Sequence, residues 1–106
     1  MEKYLVICEP IETKTKDVIS EAFEQGLQNG YFEVVEETES LDEARKILAK
    51  NLINVRRISA PVKRYSADLY YLVKVEWDEY IEDWETDLDS LEFAEVTEGN
   101  EEEGEE

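Results

Sequence analysis

From Glu76 to Glu106 the chain carries 16 acidic side chains and no lysine or arginine, whereas residues 1–75 carry 13 acidic and 11 basic ones. Nothing else in the sequence restricts the fold as much. Carboxylates at that density cannot be buried, so the core must come mainly from the first 75 residues. Whatever the rest forms must hold its charge in water. The net charge of −18 therefore falls almost entirely on one segment, attached to a nearly neutral body. A chain made acidic for solubility alone would spread its charge evenly. Self-repulsion on this scale opposes compaction, so a localised excess asks for a reason.

A length of 106 residues with 42% apolar content suits one small domain with a real core. Lys3–Glu9 is apolar and β-branched enough for a buried strand, with Pro10 as its end. A helix follows, with Thr15 as N-cap and Asp17 at the positive end of the helix dipole. Val18, Ile19, Ala22, Phe23 and Leu27 share one helical face, and Asn29-Gly30 supplies the stop. Residues 31–39 read as a strand. Ser40-Leu41-Asp42-Glu43 is a capping box, and Leu41, Ala44, Leu48 and Leu52 continue it as an apolar stripe, predicting a helix over about 41–51. Residues 53–60 read as a short strand ended by Pro61, residues 63–68 as a turn, and residues 69–77 as the strongest strand. The expected fold is α+β: a mixed, mostly antiparallel sheet with two helices on one face, a two-layer sandwich.

The acidic segment carries two periodicities. Trp77, Ile81, Trp84, Leu88 and Leu91 are spaced four, three, four and three, as on a helix. Asp83, Glu85, Asp87 and Asp89 alternate at spacing two, as on a strand. Apolar periodicity governs burial, so the expectation is an acidic C-terminal helix. The domain is then 1–94, with the acidic segment at 76–94 and a disordered acidic tail at 95–106. Trp77 is expected in the core, and Trp84 either there or toward a partner.

Several chemistries lack their residues. The chain has no histidine, which removes His-based catalysis and His metal ligation. One cysteine, Cys8, makes neither an intramolecular disulfide nor a Cys-rich zinc site, and its place in an apolar strand marks a buried structural thiol. No Gly-rich phosphate loop occurs. An EF-hand loop starting at Asp83 would need glycine where Leu88 stands and glutamate where Ala94 stands. Glu12-Thr13-Lys14 resembles part of a metal-nuclease triad but has no partner acid at a useful spacing. No enzyme, catalytic residue, metal site or cofactor is expected. No apolar run is long enough to span a bilayer, and the opening residues read as a strand and not as a basic-then-apolar leader, so the expected place is the cytoplasm, that of the host cell if the protein is phage-encoded. Membranes are not expected partners.

Direct nucleic-acid binding runs against the overall charge. A third reading, RNA contact through Arg56, Arg57, Lys63 and Arg64 with Tyr65, Tyr70 and Tyr71 as stacking platforms, is the weakest for that reason. Those bases also suit protection of a sheet edge, or docking of the acidic segment within the molecule. A helix over 76–93 would be about 27 Å long, and its carboxylates would fall about every 3 Å, near the phosphate spacing of about 3.4 Å along one DNA strand. The expected partner is the basic surface of a nucleic-acid-binding protein. The residues expected to meet it are Glu76, Asp78, Glu79, Glu82, Asp83, Glu85, Asp87, Asp89 and Glu92, with Trp84 and Tyr80 as aromatic anchors.

Small size, an α+β body and the concentrated carboxylates of residues 76–106 resemble the acidic DNA-mimic proteins of phages and mobile elements. That class includes anti-restriction proteins and several anti-CRISPR inhibitors. The resemblance implies a mechanism, in which the inhibitor occupies the nucleic-acid site of a defence enzyme, and it carries over no individual residue. The alternative is an accessory protein–protein interaction module whose acidic tail solubilises it or docks on its own body.

Overall fold

A computed structural model describes residues 1–25, 27, 32–58 and 64–98. The order of elements is β1 (Glu2–Thr13), α1 (Val18–Glu24), β2 (Glu33–Thr38), α2 (Leu41–Ala49), β3 (Leu52–Ile58), β4 (Arg64–Asp78), β5 (Asp83–Phe93) and β6 (Glu95–Glu98). The fold is α+β, with a mostly antiparallel sheet and two helices. Its sheet runs β2-β1-β4-β3-β6, and β5 pairs with β4. Among the described residues only the β3–β6 ladder is parallel.

The long antiparallel ribbon of β1 and β4 organises everything else, in unbroken register from Glu2↔Glu76 to Thr13↔Tyr65. This register explains two departures from expectation. The strand does not stop at Pro10, because the β1–β2 ladder has already ended at Cys8↔Glu33, so a residue without an N–H interrupts nothing on that side. Residues 64–68, expected to turn, instead extend β4 to match the end of β1.

Partners across an antiparallel ladder share a face, and neighbours along a strand alternate. Glu9, Ile11 and Thr13 share one face with Leu69, Ala67 and Tyr65, and Glu9, Ile11, Thr13, Leu69 and Ala67 are buried. From α1 the Phe23 ring sits edge-on to Phe93 at 5.5 Å, and Phe93 registers with Tyr71. Tyr4, Val6, Leu72 and Lys74 occupy the other face. There α2 docks, its Arg45 gripping Glu92, which registers with Leu72. Both helices contribute to one apolar cluster that reaches Val6 and Leu72 as well as Ile11 and Leu69. Val18, Ala22, Ala44 and Leu48 complete a single apolar cluster with these residues, Ile53, Val55 and Ala94. Leu72 is fully buried, and its truncation to alanine costs about 3 kcal/mol.

Local chemistry sets the helix ends. Asp17, and not Thr15, caps α1: its carboxylate accepts from the Ser20 N–H at 3.1 Å. Thr15 acts one step earlier, accepting from the Asp17 N–H. Ser40 caps α2 as its box predicts, accepting from the Glu43 N–H at 3.1 Å, while its own N–H donates to Thr38 Oγ1 in place of Glu43. The expected stop at Asn29-Gly30 and the strand end at Pro61 lie outside the described residues.

The acidic segment is a β-hairpin and not a helix: β4 runs to Asp78, a turn takes Glu79–Glu82, and β5 returns from Asp83. The alternation of Asp83, Glu85 and Asp87 carried the correct signal. The tail expectation also changes at its start, because Glu95–Glu98 forms β6 against Leu52–Val55 of β3. Residues 99–106 lie outside the described residues.

Candidate functional site

The hairpin sorts its side chains by parity. Trp77 and Trp84 are direct partners, ring centroids 5.5 Å apart and edge to face. They share a face with Lys3, whose ammonium lies 4.2 Å from the Trp84 ring centre and 2.7 Å from Glu37. Here the ring and the carboxylate fix a cation between them. Trp84 packs against the small apolar cluster of Ile7, Tyr71, Val73 and Val75, which makes it an anchor of the hairpin to the body. Trp77, expected in the core, is 40% exposed.

The opposite face is carboxylate. Glu76 registers with Glu85 and Asp78 with Asp83, so like charges stand directly across the ladder. Glu2 of β1 registers with Glu76, which puts Glu2, Glu76 and Glu85 in one row across three adjacent strands. Along each strand, same-face residues are about 6.8 Å apart, and adjacent strands are about 4.8 Å apart. Asp87 extends the face beside Lys74. Among the described residues Lys74 is the single cation of this array: its Nζ lies 3.3 Å from Glu76, 3.4 Å from Glu2 and 4.0 Å from Asp87. Glu76, then Glu2, hold its ammonium above the ordinary range. Glu79, Glu82, Glu85 and Asp89 have no cation partner among the described residues.

The turn is held by its own acids. Asp78 Oδ1 accepts the Tyr80 N–H at 2.8 Å, and Glu82 adopts a left-handed backbone at φ 54. Tyr80, at 98% exposure, projects from the tip as an unburied ring. Between Leu72 and Lys74 the β4–β5 register shifts, so four β5 residues, 88–91, answer one on β4. Asp89 lies in this bulge, which Ser90 closes by accepting the Lys74 N–H and donating to the Asp87 carbonyl.

The structure thus brings Glu76, Asp78, Asp83, Glu85 and Asp87 onto one face, with Glu79 and Glu82 at its tip. It sets Glu92 apart. Glu92 binds Arg45 through both carboxylate oxygens, and that pairing holds its carboxyl below the usual range. Its role is to fasten α2. Sequence reasoning missed Glu2, which sits 74 residues from Glu76 and joins the row only through strand register. It also missed Lys74 as the centre of the array.

Other ionisable groups offer no competing site. Cys8 is half-buried, not fully buried as expected, and burial raises its thiol above the ordinary value. Of the basic residues near β3, Arg64 pairs with Glu12 at 3.6 Å, Arg56 and Arg57 are exposed, and Lys63 lies outside the described residues. Among the described residues no group of three or more cysteines and acids is placed to hold a metal ion, and no helix is long and apolar enough to cross a membrane. Compared with known protein families, curated proteins and solved structures, the chain finds no match.

Proposed function

We propose that the protein is a stoichiometric inhibitor that uses its carboxylate face to occupy the nucleic-acid site of a defence enzyme of CRISPR-effector or restriction type. The observation that carries this reading is the pair of like-charge partners, Glu76↔Glu85 and Asp78↔Asp83, extended by Glu2. Carboxylates directly opposite one another destabilise a sheet, and opposite charges at the same positions would stabilise it. Keeping both pairs makes sense where the negative surface itself is used. A cleft lined with Lys and Arg offers it the compensation that the protein withholds. The spacing differs from a continuous line of phosphates on one strand: the face is a short two-dimensional array. Its fit is therefore to the charge of a basic cleft and not to the reading of a sequence.

One observation favours the alternative of an interaction module with a self-docking tail. The first tail residues, Glu95–Glu98, pair with β3, whose next residues are Arg56 and Arg57. Cleavage assays separate the two readings. A panel of CRISPR effectors and restriction enzymes is titrated with the protein, with D83N/E85Q, and with a chain truncated after Ala94. Inhibition lost in D83N/E85Q and retained in the truncated chain supports the charge mimic. Inhibition lost only on truncation supports the tail, and no inhibition of any enzyme removes the inhibitor reading.

A further inference from the structure

We propose that the outer edge of β2 binds an extended, basic segment of a partner protein by strand addition, at a surface separate from the carboxylate face. In the described sheet β2 is an end strand, paired on one side only, with β1. Such an edge leaves alternate backbone N–H and C=O groups without ladder partners and is a template for another strand.

The burial of β2 sets it apart. Every residue from Glu33 to Glu37 is exposed, so the strand is not sunk into the core although α2 runs near it. Phe32, Val34 and Val35 remain 63%, 43% and 40% exposed. An edge strand with nothing to hold would keep polar residues at such positions. Exposed apolar side chains such as Phe32 and Val34, two residues apart, are what a docked strand packs against.

Charge identifies the occupant. Glu33, Glu36, Glu37 and Glu39 line this short stretch, and only Glu37 has a cation, Lys3, among the described residues. A second copy of β2 would bring the same acids against themselves. The register shift opposite Val6 and Ile7 bends the edge further from self-pairing. A strand alternating Lys or Arg with apolar residues meets both the charge and the exposed valines.

The test uses the full chain and a short capped peptide alternating lysine with valine. A matched peptide N-methylated at every residue keeps the charge and loses the donors. Binding is followed by backbone chemical shifts and by amide exchange. Strand addition predicts saturable one-to-one binding, slowed exchange at Glu33–Thr38, and affinity at least about tenfold weaker for the N-methylated peptide. E33K/E36K, whose fold is checked by circular dichroism, loses the lysine peptide, whereas D83N/E85Q binds it unchanged. Equal affinity for the two peptides would reduce the effect to charge alone and overturn the proposal. So would shifts confined to residues 76–87, the absence of saturable binding, or a protein already dimeric through β2 by sedimentation.

Discussion

The double substitution D83N/E85Q should make the protein more stable while weakening its proposed activity. Asp83 faces Asp78 and Glu85 faces Glu76 across the hairpin, and neither substituted carboxylate has a cation among the described residues. Two unit charges about 6 Å apart repel by about 0.7 kcal/mol in water-like surroundings, so screening leaves about 0.5 kcal/mol for each pair. Amides are close in shape, and the side-chain carbonyl of the introduced asparagine can still accept the Trp84 N–H that Asp83 Oδ1 now takes at 2.8 Å. The two relieved pairs together give about 1 kcal/mol, or about 4–8 °C in Tm for a domain of this size. Thermal and urea unfolding in about 0.01 M salt, where the screening length is about 30 Å, should show the full gain. In about 1 M salt, where it is about 3 Å, most of the gain should disappear. A loss of stability in low salt would refute the reasoning, because the carboxylates would then be supporting the hairpin. A gain that persists unchanged in high salt would also refute it, since its origin could not be charge.

Three further outcomes follow from buried or strained groups. Burial raises the Glu9 carboxyl, which Tyr71 O–H contacts at 3.0 Å, so this group's contribution to stability is complete below the ordinary carboxylate pKa and is lost as pH rises through its higher folded value. In E9Q, urea midpoints should fall less than in wild type as pH is raised from the ordinary carboxylate pKa through the higher folded value; an unchanged slope would contradict the assignment. Arg45 lowers the Glu92 carboxyl, so their contribution is present above the ordinary carboxylate pKa and is lost as pH falls through the lower folded value. R45Q should remove that acid-side loss from the pH profile. Glu82 holds a left-handed backbone in the hairpin turn, so Glu82→Gly should stabilise by about 0.5–1 kcal/mol after the entropy that glycine adds to the unfolded chain, measured by urea unfolding.

Local chemistry made much of the fold legible. Ser40 and Glu43 mark the start of α2, and the run from Leu69 to Trp77 lies within β4. The acidic segment misled because a helical stripe presumes that each of its apolar members is buried. Ile81 is instead 59% exposed in the turn and Leu88 64% exposed in the bulge, so only the tryptophans and Leu91 join the packing. Trp77 and Trp84, seven residues apart, are two turns of a helix by spacing but opposite partners in a hairpin by register. The charge split drew attention to carboxylates expected on a helix, most of which lie on a hairpin face or its tip. It could not include Glu2 or centre the face on Lys74, because both follow from the β1–β4 register, which depends on contacts remote in sequence.

Salt dependence of binding to an inhibited enzyme bears most directly on the carboxylate face as a nucleic-acid substitute. Affinities for the wild-type protein and for D83N/E85Q are measured by calorimetry from low to high salt, with duplex DNA as competitor. The account predicts that wild-type affinity falls steeply with salt, that the variant's slope is shallower, and that DNA displaces both proteins. Equal slopes for the two proteins, or a complex that DNA cannot displace, would contradict it.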